Sequence, residues 1–148
     1  MPRGAKVRSM SDPIFEHRFR VALHDTDAAG VLFFAHLLRH AHDAYEAWMA
    51  QLGFPLDAML RDGGLRLPLV HAEADYRRPL RHGDAVTVRL GVAGVGGSAF
   101  TVAYRFLDAQ GELAASARTV HVGVDANGHR TLPDALRRAV QPPQTRLA

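Results

Sequence analysis

The chain has 148 residues and a mass of 16.2 kDa, 47% of them hydrophobic, which suits one compact domain with its own core and leaves little room for a second. It contains no cysteine, so disulfides, a cysteine nucleophile and thiolate metal sites are excluded, and a reducing cytoplasm is the expected setting. The formal charge is only +3, with basic residues spread among acids; no apolar run is long enough for a bilayer and residues 1–10 lead into no secretory core, so neither nucleic acid nor membrane is expected as a partner.

Over 14–23, Phe15, Phe19, Val21 and Leu23 fall mostly on alternate positions, as in a half-buried strand. The period then changes. Phe34, Leu38, Ala41, Tyr45, Trp48 and Leu52 are spaced 4, 3, 4, 3 and 4, which predicts a helix with that face toward the core. Arg39, His40, Asp43, Glu46 and Gln51 take its wet side, and Gly53 ends it. Residues 55–68, with Gly63-Gly64, read as a loop.

From there strand follows strand without helices. Val70, Ala72, Ala74 and Tyr76 alternate with His71, Glu73 and Asp75, predicting one apolar side; further strands are expected over 86–92, 100–106 and 113–124. Turns at 94–98, 108–111 and 125–128 separate or close them, and the glycines at 94–97 precede no helix, so they read as a hairpin rather than a phosphate loop. Thr131-Leu132-Pro133-Asp134 opens a short helix running to about Val140. This order predicts an α+β fold, a mainly antiparallel sheet wrapped round one long central helix. One domain is expected over 14–140, between a flexible N-terminal segment, 1–13, and a tail, 141–148.

The chemistry concentrates in residues 24–34, His-Asp-Thr-Asp-Ala-Ala-Gly-Val-Leu-Phe-Phe, which set two carboxylates and a glycine immediately ahead of the helix. A helix start carries unpaired N–H groups and a partial positive charge, so an acid there stays ionised while a neighbouring N–H polarises a bound carbonyl. Asp27 is the candidate. The local pattern taken alone favours a cap beside a solvated acid. His24 reads as a strand-end histidine, and Asp43 and Glu46 as a solvated face. His36, His40 and Asp43 stand at i, i+4 and i+7, spacing that puts them on one helical face, but Leu37 occupies the place of the glutamate in zinc-protease helices. Arg77, Arg78 and Arg81, beside Tyr76, are either a charged strand end or a grip for phosphates.

Asp25-Thr26-Asp27-Ala28-Ala29-Gly30-Val31, the aromatic pair Phe33-Phe34 and the helix after it resemble the hotdog-fold acyl-CoA thioesterases of the 4-hydroxybenzoyl-CoA thioesterase type, over about residues 15–140. Within that superfamily, His42-Asp43-Ala44-Tyr45-Glu46, Leu67-Pro68-Leu69-Val70-His71-Ala72, Arg78-Pro79-Leu80 and Gly83-Asp84 are similar to the 1,4-dihydroxy-2-naphthoyl-CoA thioesterases. The resemblance implies a hotdog fold and hydrolysis of an aromatic acyl-CoA to free acid and CoA, with no cofactor. It implies Asp27, not Asp25, as nucleophile or general base, the Phe34 backbone N–H as the group that polarises the carbonyl, and Gly30 in the turn between them. His36 stands by the acyl group where the family often has a small polar residue, and Arg77, Arg78 and Arg81 fall to the CoA phosphates. Homodimers with joined sheets and interfacial active sites, pairing into homotetramers, are implied as well. Rival readings are a thioesterase for aliphatic acyl-CoA or acyl-carrier-protein thioesters and a non-catalytic hotdog protein that binds acyl-CoA.

Overall fold

The computed structural model describes residues 15–141. The segment 1–13, and the tail 141–148 apart from Gln141, lie outside the described residues. The chain runs through β1 (Phe15–Arg20), a 3-10 turn (Leu23–Asp25), α1 (Phe34–Gln51), α2 (Leu56–Asp62), β2 (Leu65–Arg66), β3 (Leu69–Tyr76), β4 (Ala85–Val95), β5 (Ala99–Leu107), β6 (Leu113–Val122), β7 (Val124–Asp125) and α3 (Asp134–Val140). Five strands form one antiparallel sheet in the order β1-β4-β5-β6-β3, and β2 pairs with β7 in a small ribbon. None of the described helices is long and apolar enough to cross a membrane.

Alternation decides which face of the sheet is buried. Val86, Val88 and Leu90 of β4, Phe100, Val102, Tyr104 and Phe106 of β5, and Ala115, Ala117, Thr119 and His121 of β6 all turn inward. Helix α1 covers them with Leu37, Ala41, Ala44, Tyr45, Trp48 and Met49. Each large side chain so buried stabilises the fold by about 1.5–3 kcal/mol before its entropy cost.

The helix is rotated from the stripe expected of it. Ala41, Tyr45 and Trp48 are in the core as predicted, but Phe34 is 63% exposed and His40, placed on the wet side by its chemistry, is 6% exposed. The His40 ring lies flat on Phe19 of β1, centroids 3.7 Å apart, and bonds to Asp25, a polar anchor that hydrophobic periodicity does not register.

Four other expectations are corrected. The first strand ends at Arg20, and Leu23 sits 70% exposed on the 3-10 turn. The loop expected over 55–68 contains α2 and β2; α2 is short and buries no residue fully, so it left little apolar period to read. The strand expected over 113–124 breaks at Gly123, where an added Cβ would lie 1.8 Å from the Thr131 carbonyl oxygen, so only glycine fits. Strand β3 has no buried side, because it is the edge strand, paired with β6 alone.

Candidate functional site

Residues 26–32 form a tight ribbon that carries Asp27 at its tip. Thr26 bridges Leu32, the Asp27 N–H donates to the Val31 carbonyl at 3.0 Å, and the Gly30 N–H donates to the Asp27 carbonyl at 3.0 Å. Gly30 makes this turn with φ +77°, in the left-handed region that a side chain disfavours. The Asp27 Oδ1 accepts N–H groups from Ala29 at 2.8 Å and Val31 at 3.3 Å, while Oδ2 takes no hydrogen bond among the described residues. The carboxylate is thus oriented through one oxygen with the other exposed.

The other end of the site is the start of α1. Phe33 is its N-cap with no side-chain cap bond, and the first turn holds no acid. The Phe33 N–H donates to the Asp25 carbonyl and the His36 N–H to the Phe33 carbonyl, so Phe34, as the first helical residue, presents an N–H with no intrahelical acceptor. The Tyr76 hydroxyl, from the end of β3, donates to the Phe34 carbonyl and pins this turn to the sheet edge.

Beside these two segments lies a cleft of about 270 Å³ whose walls include Val31 of the ribbon, Leu37 of α1, and Tyr76, Arg77, Arg78 and Leu80. Backbone bonds from Leu32 to Leu80 at 2.7 Å and from His82 to Gly30 at 3.2 Å fasten the Asp27 ribbon to the segment after β3, which is why the arginines arrive here. Arg78 lies 3.7 Å from Glu112, and Arg77 has no ion-pair partner among the described residues. Arg81 bridges Val31 through its backbone and is not in the cleft wall. His36 packs edge-on against Phe33, also outside that wall.

Two residues before Asp27, Asp25 is 1% exposed. Its carboxylate pairs with Arg39, with His40 Nε2 at 3.1 Å, and with the Ala22 N–H at 2.9 Å. Burial by itself would push this acid up, but the Ala22, His40 and Arg39 hydrogen bonds and the His40 charge outweigh it and hold it below the ordinary carboxylate value. Burial pushes His40 below the ordinary histidine value, against the pull of Asp25.

The remaining candidates disperse. His24 and Glu46 are exposed, and Asp43 sits 3.6 Å from Arg39. With His40 turned inward, His36, His40 and Asp43 do not gather; no group of three metal-type side chains does among the described residues. Two larger hollows lie elsewhere. One of about 440 Å³ is mainly apolar, between the middle of α1 and α2, with Tyr45, Met59 and Leu67 in its wall; the other, about 380 Å³, mixes Glu73, Asp75, Arg105 and Arg118. Asp27 and Phe34 are in the wall of none of the three, and only the 270 Å³ cleft takes residues of the Asp27 ribbon, Val31 and Leu32. Sequence reading passed over Tyr76 and Arg39 as site residues and weighed His40 only as a metal ligand. Tyr76 shows there as one apolar member of an alternating strand, next to the arginine cluster.

Residues 21–144 match the family model of the thioesterase-like superfamily. A 1,4-dihydroxy-2-naphthoyl-CoA hydrolase of Synechococcus elongatus is 40% identical over 125 residues, 84% of this chain and 90% of that protein. Among solved structures, a 1,4-dihydroxy-2-naphthoyl-CoA thioesterase from Synechocystis superposes with a TM-score of 0.80 at 32% identity, covering 86% of this chain and 95% of the other. A gentisyl-coenzyme A thioesterase superposes with a TM-score of 0.77 at 26% identity, covering 85% and 98%. The hotdog fold expected from the sequence stands, and with a family match over most of its length the chain belongs to the thioesterase-like superfamily.

Proposed function

We propose that the chain hydrolyses an aromatic acyl-CoA, with a hydroxylated aryl group such as 1,4-dihydroxy-2-naphthoyl or 4-hydroxybenzoyl as the acyl part. The observation that carries the reading is a half-free Asp27 carboxylate on the ribbon that lends Val31 and Leu32 to the cleft wall, together with the unpaired Phe34 N–H at the start of the helix that lends it Leu37. In this reading the thioester carbonyl oxygen lies on the Phe34 N–H. Negative charge gathers there as the tetrahedral centre forms, and a preorganised donor lowers that barrier by roughly 3–4 kcal/mol. Asp27 Oδ2 either attacks the carbonyl carbon, expelling the CoA thiolate and leaving an anhydride for water to open, or takes the proton of the attacking water. Arg77 and Arg78 on the cleft rim suit the CoA phosphates; Arg81 is assigned to the same phosphates and His36 to the acyl group.

The reading includes a homodimer joined along β3, with pairing of dimers into tetramers. Eight residues of edge strand are open, with Val70 54% and Tyr76 49% exposed, and an edge of that length invites pairing with a second copy. The partner then helps to enclose the acyl group.

The deciding experiment compares thiol release from 1,4-dihydroxy-2-naphthoyl-CoA, 4-hydroxybenzoyl-CoA, phenylacetyl-CoA and a straight-chain acyl-CoA, by the native protein and by Asp27→Asn. The aryl substrates should lead, and the variant should lose roughly 10³-fold or more in kcat while remaining folded. Preference for the straight chain overturns the aromatic assignment, absence of thiol overturns hydrolysis in favour of binding, and near-native turnover by Asp27→Asn overturns its role.

A further inference from the structure

Asp25 does more than the solvated neighbour of a reactive acid needs to do. Its side chain is buried, and three donors from two elements converge on it: the Ala22 N–H ahead of the 3-10 turn, and Arg39 and His40 from the second turn of α1. Its main-chain carbonyl accepts the Phe33 N–H at 2.8 Å, at the residue that caps the same helix. His40 is itself fixed from the far side by its stack on Phe19 of β1. One residue therefore grips the helix twice, by its carbonyl at the cap and by its carboxylate a turn further on, and two residues later the chain reaches Asp27.

We propose that Asp25, held by Arg39 and His40, is the positioning group that fixes the Asp27 ribbon against the first turn of α1. It touches no substrate. Its action is to hold the Asp27 carboxylate and the Phe34 N–H at one separation, so that attack on the carbonyl carbon and stabilisation of its oxygen occur in a single geometry. Nothing else among the side-chain bonds of the described residues ties 22–32 to α1; the other tie is the Asp25 carbonyl itself. A displacement of about 1 Å at such a site costs up to roughly 10²-fold in rate, so this tie acts on turnover rather than on substrate binding. The proposal rests on the roles given above to Asp27 and Phe34, and has a readout independent of them.

Arg39 is the place to test it, because its side chain is 45% exposed and Arg39→Met leaves the core intact. Two measurements are made on Arg39→Met and Arg39→Lys: steady-state hydrolysis of the best acyl-CoA, and amide hydrogen exchange. Arg39→Met should lose about tenfold or more in kcat with KM within about threefold, and Arg39→Lys, which keeps one donor to Asp25, should recover most of that loss. Protection should fall at Phe33 and Val31, whose N–H groups bond Asp25 and Asp27, while amides of β5 hold. Asp25→Asn combined with Arg39→Met should be little worse than the worse single change. Unchanged protection at Phe33 and Val31, with or without measurable turnover, overturns the tie. A lowered melting temperature with native kcat makes it merely structural and overturns the proposal as well. Loss of function in Arg39→Met beside native turnover in Asp27→Asn instead removes the role given to Asp27 and leaves the tie standing.

Discussion

The first turn of α1 and the stretch about three turns on, around Tyr45, belong to one helix on one sheet, yet they treat polar groups in opposite ways. At the first turn Phe34 is 63% exposed, its N–H has no intrahelical acceptor, and the Asp27 carboxylate on the preceding ribbon has one oxygen unbonded among the described residues. Around Tyr45 the polar side chains of the core are buried. Its ring lies on His121 with centroids 4.1 Å apart, and both residues are at most 1% exposed. His121 Nε2 is 2.9 Å from the Thr119 hydroxyl, which is 2.8 Å from the Tyr104 hydroxyl, whereas the Tyr45 hydroxyl and His121 Nδ1 have no hydrogen-bond partner among the described residues. Burial drives His121 down to about 4 and raises Tyr45 and Tyr104, so these groups stay neutral at pH 7. Ionisable side chains are therefore no guide to reactivity here. Access is what separates a group that can meet substrate from one that serves packing.

The largest effect should come from removing one hydrogen atom at the open end. Phe34 is the first helical residue and Phe33 before it is extended, at φ −68° and ψ 133°, so proline is sterically acceptable at position 34. Phe34→Pro deletes the N–H proposed to polarise the carbonyl and leaves the carbonyl that Tyr76 holds. The expected result is a native circular-dichroism spectrum with kcat lowered by roughly 10²–10³-fold, about 3–4 kcal/mol. Turnover within a few-fold of native would remove the N–H from the reaction and weaken the contrast between the two regions.

That contrast was only partly legible in the sequence. The motif around Asp27 and Gly30 could be read because the turn is local: glycine with a positive φ, an acid bonded to N–H groups two and four residues on, and a helix directly after. The antiparallel sheet was legible for the same reason, since alternation in β4 and β5 survives in their buried faces. What could not be read is non-local. His40 looks like a solvated helix residue until Asp25 and Phe19 arrive from other elements to bury it. Tyr76 lies 42 residues from the carbonyl it anchors. The open edge of β3 likewise depends on which strands pair, and its apolar alternate residues pointed to a buried side it does not have.

The closed region carries the next effect, on stability rather than rate. The His121 value falls from the ordinary 6.5 to about 4 on folding, so the unfolded chain binds the proton more tightly. Its contribution is complete above pH 6.5 and is lost as pH drops toward 4, by about 3 kcal/mol in all. His40, also lowered by burial, adds a loss of the same sign as pH falls below 6.5, whereas Asp25, lowered from 3.8, adds its loss only below that value. His121→Phe should remove most of the slope between pH 7 and 4 in denaturant unfolding curves. Parallel curves for the two proteins would mean that His121 is not held neutral by its surroundings.

The smallest effect tests the rim of the open region, and it separates two neighbours. Arg78 is shared with Glu112 at 3.7 Å, while Arg77 has no acidic partner among the described residues and lines the same cleft. A guanidinium free of an internal carboxylate is the better placed of the two to take a phosphate, and one charge-assisted contact at an exposed site contributes about 1 kcal/mol. Arg77→Ala should therefore raise KM for the acyl-CoA roughly five- to tenfold with kcat unchanged, and Arg78→Ala by less. Raising the salt concentration should shrink the difference between native protein and Arg77→Ala, because exposed charge contacts are screened. If KM instead responds to Arg81→Ala and not to Arg77→Ala, the CoA leaves the cleft on the side of the Val31 bridge, and the open region extends along the Asp27 ribbon rather than toward β3.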